Sequence, residues 1–348
     1  MAKSHKNKRL NARFGKKSVS NSSASKPKKE LSKKIDQSRS LEKRSFYDKY
    51  YKQLLIIPFL MLLFAFIVIG WQYSSTGDFM NKGISLKGGT AITITSDIAD
   101  ISSVSIPELE LALKKDFPKA DINIRTQKDL SELVAIDVEV DITNETQLAG
   151  FKNSLIKAIP GLTLDEIGQN IKVSGSSLGA TFFSQMIKAM IIAFILMGIV
   201  VFIQFKVPTP SLAVILAAFS DIVVTLAIVD LMGIKISTAG IAAFLMLIGY
   251  SVDTDVLLST RVLKNTEGSV HQRVISALKT GLTMNITTLV AVGVGLLVSE
   301  SVIISQIMTI IFIGLLVDMV NTWIQNVGIL RLYLEKKDRR KKLSGDVQ

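Results

Sequence analysis

Six carboxylates stand in or beside stretches that are otherwise apolar: Asp221, Asp230, Asp253, Asp255, Glu300 and Asp318. An ionised Asp at mid-bilayer costs about 2.5–3.5 kcal/mol even on the milder insertion scale. It must therefore face protein or water, carry a proton, or meet a cation. Asp221 lies at the middle of its apolar run. Asp253 and Asp255 share a second run and Asp318 occupies a third, all three nearer the end that leads into basic sequence. Asp221, Asp253 and Asp318, at similar depth on three helices, suit a proton or ion relay, and Asp221, Asp253, Asp255 and Asp318 are its candidates. Residues two apart on a helix point to roughly opposite sides, so at most one of Asp253 and Asp255 joins a given cluster. The plainer reading of any one of them is a structural hydrogen bond between packed helices. For Asp230 and Glu300, near the opposite surface, and for Asp255, contact with interfacial water suffices. An intramembrane aspartyl protease also needs two membrane aspartates, but it carries Gly-x-Gly-Asp. Here the stretch is Leu247-Ile248-Gly249-Tyr250-Ser251-Val252-Asp253. The Gly293-Val294-Gly295 triplet reads as close helix packing.

The elements that must hold these groups are six apolar runs, each long enough to span a bilayer. The spacing predicts spans over 54–71, 186–205, 211–232, 236–258, 283–298 and 303–325. Tyr50, Tyr51 and Lys52 flank one edge of span 1, and Trp71 and Tyr73 the other, as aromatic and basic residues do at interfaces. The overall composition agrees: 48% of the 348 residues are hydrophobic and mean hydropathy is +0.39. The basic N-terminus is followed by no short apolar stretch, so nothing reads as a cleavable signal peptide. With no cysteine and only His5 and His271, thiol chemistry, disulfides, Cys-ligated metals and a histidine-rich metal site are excluded. The sequence calls for no metal and no cofactor.

Between spans 1 and 2 lie residues 72–185, with ten Lys/Arg against 15 Asp/Glu. Their pattern is strand, helix, strand, strand, helix, strand. Ile92 and Ile94 alternate with threonines, and Val134, Ile136, Val138 and Val140 share one face. Ser105 with Glu108 reads as a capping box opening one helix. Leu148, Phe151, Leu155 and Ile159 mark a second. This order predicts a ferredoxin-like α+β sandwich, with no catalytic constellation in it.

Residues 1–53 hold 17 Lys/Arg and four Asp/Glu and few apolar side chains, which predicts a disordered basic tail. It is a solvated topogenic segment or an electrostatic tether to anionic lipid or the ribosome. Basic residues also mark Lys206, the 259–282 segment with Arg261, Lys264, Arg273 and Lys279, and a tail over 331–348 with seven Lys/Arg. The positive-inside rule then puts both termini in the cytoplasm and residues 72–185 outside.

Three stretches are similar to the SecF family, membrane subunits of the SecDF protein-export complex, and most of all to its archaeal branch. Gly83-Ile84-Ser85-Leu86-Lys87-Gly88-Gly89-Thr90 resembles the family's Gly-x-Asp-Phe-x-Gly-Gly-Thr approach to the external domain. Phe219-Ser220-Asp221-Ile222-Val223 resembles its third-span motif. Gly249, Tyr250 and Ser251 with Asp253, Asp255 and then Arg261 resemble its fourth-span motif, the most specific of the three. The resemblance runs over residues 47–335. It implies an α-helical membrane protein with six transmembrane helices, a half-unit of the resistance-nodulation-division fold, in the cell membrane and without enzymatic activity. It also implies a SecD-like six-span partner, a SecY-type translocon, a translocating polypeptide and, in bacteria, proton flow. Three departures stand out, the first being Ser85, where the family's first motif has Asp. Bacterial members read Ser-Ile-Asn-Asp in span 4, which aligns their Asp with Thr254. They also carry an arginine seven residues before the Thr-Thr of span 5, where this chain has Thr280. The competing readings are a half-transporter of the same superfamily exporting small molecules or lipids, and a passive translocon scaffold.

Overall fold

In the computed structural model, residues 46–129, 132–174, 176–264, 269–299 and 301–343 are described. Among them six helices are long and apolar enough to cross a membrane. Most of the basic N-terminal tail falls outside the described residues. Its last part is helical, Phe46–Leu54, and leads through Leu55 into the span 1 helix Ile56–Thr76. Span 1 thus runs five residues past its expected end at Trp71 and stops at Gly77, which takes a left-handed φ of 77°.

The other spans also outrun the apolar windows. Span 2 is Ser176–Phe205, so the expected boundary at 185/186 falls inside a helix whose first two turns are more polar than its body. Span 3 is Pro208–Leu231 and span 4 is Thr238–Leu263. Span 5 is Val270–Val298, opened by a capping box in which Ser269 and Gln272 satisfy each other's backbone amides. Most of the expected 259–282 loop is therefore helix, and Arg261, Arg273 and Lys279 ride on helix ends. Span 6 is Val302–Val320, then a π-helical turn, Asn321–Asn326, then the helix Val327–Leu343. The expected C-terminal tail is helical as far as Leu343, and Arg331 is buried rather than solvated.

The α+β domain has strands β1 Gly89–Thr95, β2 Ile122–Asp129, β3 Glu132–Val140 and β4 Ile171–Ser174. They form one antiparallel sheet in the order β2-β3-β1-β4. The helices Ile106–Asp116 and Glu145–Ala158 contribute Leu109, Leu113, Phe151 and Leu155 to a core shared with Ile92, Ile94, Ile136 and Val138. Asn144 caps the second of these by accepting from the Thr146 amide. At the first, Ser105 is the N-cap residue but makes no side-chain capping bond, so the expected capping box is absent. The capping box in this domain belongs instead to a short helix the sequence pattern did not predict, Leu164–Gln169, where Thr163 and Glu166 cap each other.

The glycine-rich motif is the joint between domain and bundle. Gly83 donates its amide to the Ile236 carbonyl at 2.8 Å, and Ile236 donates to Asn81 at 2.7 Å. Gly88 and Gly89 turn the chain at φ 87° and 146°. A Cβ on Gly89 would stand 2.4 Å from the Val140 carbonyl oxygen, so only glycine fits there. Thr90 is fully buried and donates to the Ile142 carbonyl at 2.7 Å.

Candidate functional site

Spans 3, 4 and 6 pack against one another, and span 5 packs on spans 4 and 6. Their shared interior combines an apolar cluster, with Ile241, Phe244, Leu247, Ile310 and Leu315, and a polar seam. Asp221, Asp255 and Asp318 are each fully buried, as are Ser220, Ser251, Asn321, Thr322, Gln325 and Asn326. Helix association inside a bilayer gains nothing from burying apolar surface, so packing and interhelical hydrogen bonds hold such a bundle.

Each carboxylate is reached by neutral donors. Asp221 accepts from Ser251 Oγ at 2.5 Å and from Asn321 Nδ2 at 2.7 Å. Asp318 accepts from Asn285 Nδ2 and from Thr322 Oγ1, both at 3.0 Å. Asp255 accepts from Asn326 Nδ2 at 2.7 Å. Thr254 extends the network, donating to Asn285 Oδ1 at 3.3 Å. From Thr280 to Leu330, and from Pro208 to Leu231, the sequence contains no Lys, Arg or His. These stretches supply three of the four helices around the seam, and their contribution is hydroxyls and carboxamides.

The four expected relay residues do not all meet. Asp221, Asp255 and Asp318 converge. Asp253 does not: the helix turns it away, and its side chain is exposed beside Gly249, Met246 and Tyr250. The expectation that Asp253 joins Asp221 and Asp318 is therefore corrected to Asp255. With Asp255 turned into the seam, Asp253, two residues away, takes the opposite side. Ser251, from the fourth-span motif, is the hydroxyl that bonds Asp221. Arg261, from the same motif, clamps the span 4–span 5 turn, donating to the Ser276 carbonyl at 2.8 Å and its hydroxyl at 3.0 Å. Asp230 and Asp255, both expected merely to touch interfacial water, are buried, and Asp230 accepts from the Asn81 amide at 2.9 Å.

The carboxamides Asn285, Asn321 and Asn326 were not singled out from sequence. The signal was present in Asn321-Thr322-Trp323-Ile324-Gln325-Asn326, a polar run that reads as the end of a span. Its placement in a π-helical turn, a feature frequent at functional sites, has no sequence signature of its own.

A family model described as "Protein export membrane protein SecD/SecF, C-terminal" matches residues 162–336. SecF of Pyrococcus furiosus is 38% identical over 287 residues, covering 82% of this chain and 92% of its own length. The chain belongs to the SecF family. SecF of Methanocaldococcus jannaschii is 36% identical, covering 84% of this chain and 99% of its own. The crystal structure of SecDF from Thermus thermophilus, titled a translocon-associated membrane protein, superposes with a TM-score of 0.64 at 19% identity. That match covers 85% of this chain and 39% of the larger one, and it shows a shared fold.

Proposed function

We propose that this protein is a non-enzymatic accessory subunit of Sec-dependent protein translocation, acting with a SecD-like six-span subunit and coupled to proton flow through the Asp221–Asp255–Asp318 seam. The export role follows from membership of the SecF family. The coupling rests on one observation: three carboxylates from three spans are fully buried in one network whose donors are neutral. A permanent cation would hold a carboxylate ionised, whereas a hydroxyl or carboxamide donates to the ionised and to the protonated group alike. The test is export into inverted membrane vesicles with and without a proton gradient, comparing wild type with Asp221→Asn and Asp255→Asn. Gradient-independent export, with both variants as active as wild type, leaves the passive scaffold as the reading. What supports that second reading is that a buried carboxyl with no cation beside it can stay protonated throughout.

The four-stranded order and the two helices support a ferredoxin-like domain on the outer surface, and the Lys/Arg distribution supports cytoplasmic termini. Cysteines introduced at Ser103 and Ser269 read this directly. An impermeant reagent on intact cells should label position 103 and spare 269, and the reverse result refutes the orientation.

The exposed Asp253 supports a partner covering span 4. A carboxylate facing lipid is costly, and a Cβ added at Gly249 would meet nothing within 4 Å, which leaves room for close approach of another helix. A SecD-like subunit bringing a donor to that depth fits this face, and a SecY-type channel and the translocating polypeptide complete the assembly. The basic N-terminal tail suits anionic lipid or the ribosome. Co-purification from native membranes should bring down the six-span partner, and isolation of the chain alone would count against this assembly.

A further inference from the structure

We infer that Asn321 and Asn326 are positioning residues, presented together by the π-helical turn of span 6 so that they hold the side chains of Asp221 and Asp255 for proton exchange. The inference rests on the relay reading above and adds to it the device that orients the carboxyl groups.

The sixth span supplies a donor to each of the three carboxylates. Asn321 Nδ2 reaches Asp221 Oδ1 on span 3 at 2.7 Å. Thr322 Oγ1 reaches Asp318 Oδ1 on its own helix at 3.0 Å. Asn326 Nδ2 reaches Asp255 Oδ1 on span 4 at 2.7 Å. In an uninterrupted α-helix, residues five apart are about 140° apart around the axis, on different faces. A π-helical turn bonds residue i to i+5 and so brings residues five apart towards the same face. Asn321 and Asn326 are the first and last residues of that turn.

The amides are oriented by the carboxylates. Asn321 Oδ1, Gln325 Oε1 and Asn326 Oδ1 are buried and find no hydrogen-bond partner among the described residues. Here the NH2 end of each asparagine is used and its carbonyl end is spared. Donation through the NH2 is what a carboxyl oxygen, an acceptor, requires. A carboxamide also keeps hold of the group through a protonation change. Its N–H donates to either oxygen of an ionised carboxylate and to the carbonyl oxygen of the neutral acid, so the anchor survives the cycle.

Trp323 fixes the turn from the other side. A Cβ on Gly281 of span 5 would lie 2.5 Å from Trp323 Cζ2, so the indole sits directly on that glycine. The turn is thereby keyed to span 5, the span that also carries Asn285 to Asp318.

The experiment compares Asn321→Leu, Asp221→Asn and the double variant in the complex with the SecD-like partner, in native membranes. Assembly is read by co-purification and export by translocation rate. Asn321→Leu should assemble and export about tenfold slower, the scale seen when a residue that orients a functional ligand is lost. The double variant should be no slower than Asp221→Asn alone, because Asn321 acts through Asp221. Export by Asn321→Leu at the wild-type rate, or a double variant slowed by the product of the two single effects, overturns the inference. If Asn321→Leu does not assemble, Asn321→Ser decides: slowed export with normal assembly supports the positioning role, and wild-type export refutes it. Wild-type export by Asp221→Asn is a different result, and it strikes the relay reading rather than the asparagines.

Discussion

The α+β domain and the membrane bundle differ in what they hide. The domain buries Ile92, Ile94, Ile136, Val138, Phe151 and Leu155, and turns its charges outward. The bundle buries Asp221, Ser251, Asp255, Asn285, Asp318 and Asn321, and turns Ile, Leu and Phe outward along spans 1 and 2. In water, removing apolar surface from solvent drives the packing. In a bilayer the surroundings are already apolar, and hydrogen bonds and close contacts between helices do the specifying. The same chain thus carries an apolar core in the domain and, in the bundle, a polar seam set beside apolar clusters such as Ile241, Phe244, Leu247 and Leu315, the two joined at the 77–90 segment. A substitution should therefore be judged by the core it enters.

The sharpest break of this comparison is in the seam. Asp255→Asn should assemble with its partner yet lose export by about 10²-fold or more, the scale for a removed proton-transfer group. Asp253→Asn, on the exposed face of the same helix, should export close to normally and alter recovery of the partner instead. Equal losses from both would mean that the buried network confers no special role on Asp255. Translocation rates measured beside co-purification separate these outcomes.

The mirror experiment is in the domain. Phe151 is fully buried and meets Phe117 edge-on, with ring centroids 5.3 Å apart. Phe151→Ala should cost about 3–5 kcal/mol. A fragment covering 78–174 should fold alone and show a cooperative melt by circular dichroism, and the variant should lower that melt or abolish it. A fragment with no transition would mean that the domain depends on the bundle for its fold.

How much of this was legible follows from the same difference. Strands β1 and β3 were readable because Ile92/Ile94 and Ile136/Val138/Val140 alternate with polar residues along a half-buried sheet. The spans were readable by apolar length, but their ends were not: helices such as Ser176–Phe205 and Val270–Val298 run beyond the hydrocarbon into polar sequence, where hydropathy falls and helix continues. Asp221, Asp255 and Asp318 stood out as charges in apolar runs. Which of Asp253 and Asp255 faces inward depends on the rotation of span 4, and hydropathy does not encode rotation. Asn285, Asn321 and Asn326 carry no charge, and only their partners on other helices give them meaning.

A middle-sized effect tests the keying of span 6 to span 5. Gly281→Ala places a methyl where Trp323 sits, and overpacking of this kind costs about 1–3 kcal/mol. Detergent-solubilised complex should melt earlier, and export should fall with it if the π-helical turn shifts. Unchanged melting and export would mean that the indole moves aside freely.

The smallest effect concerns the seam between the two cores, where Lys235 in the span 3–span 4 turn meets the domain. Its ammonium donates to Asp121 Oδ1 at 2.6 Å, and Lys87 lies 3.5 Å from the other carboxylate oxygen. Burial pushes the Asp121 carboxyl up, but the hydrogen bond and charge of Lys235, with those of Lys87, outweigh it and hold the group below the usual carboxylate range. A depressed carboxyl contributes stability above its unfolded value of about 3.9, and that contribution is lost as pH falls through the lower folded value. Asp121 is 42% exposed, so solvent screens the pair and its share is modest. The backbone of Lys235 is engaged separately: its carbonyl accepts from Arg125 at 3.1 Å and from Gln306 at 2.6 Å. Lys235→Met keeps those two bonds and removes only the charge. Hydrogen exchange over residues 81–87 should accordingly speed up slightly near neutral pH, and the difference from wild type should vanish below the folded value of Asp121. A large loss of protection at neutral pH would mean that the charge pair, rather than the backbone ties of Ile236 and Lys235, joins the two cores. A difference that persists in acid would mean that Lys235 acts through something other than Asp121.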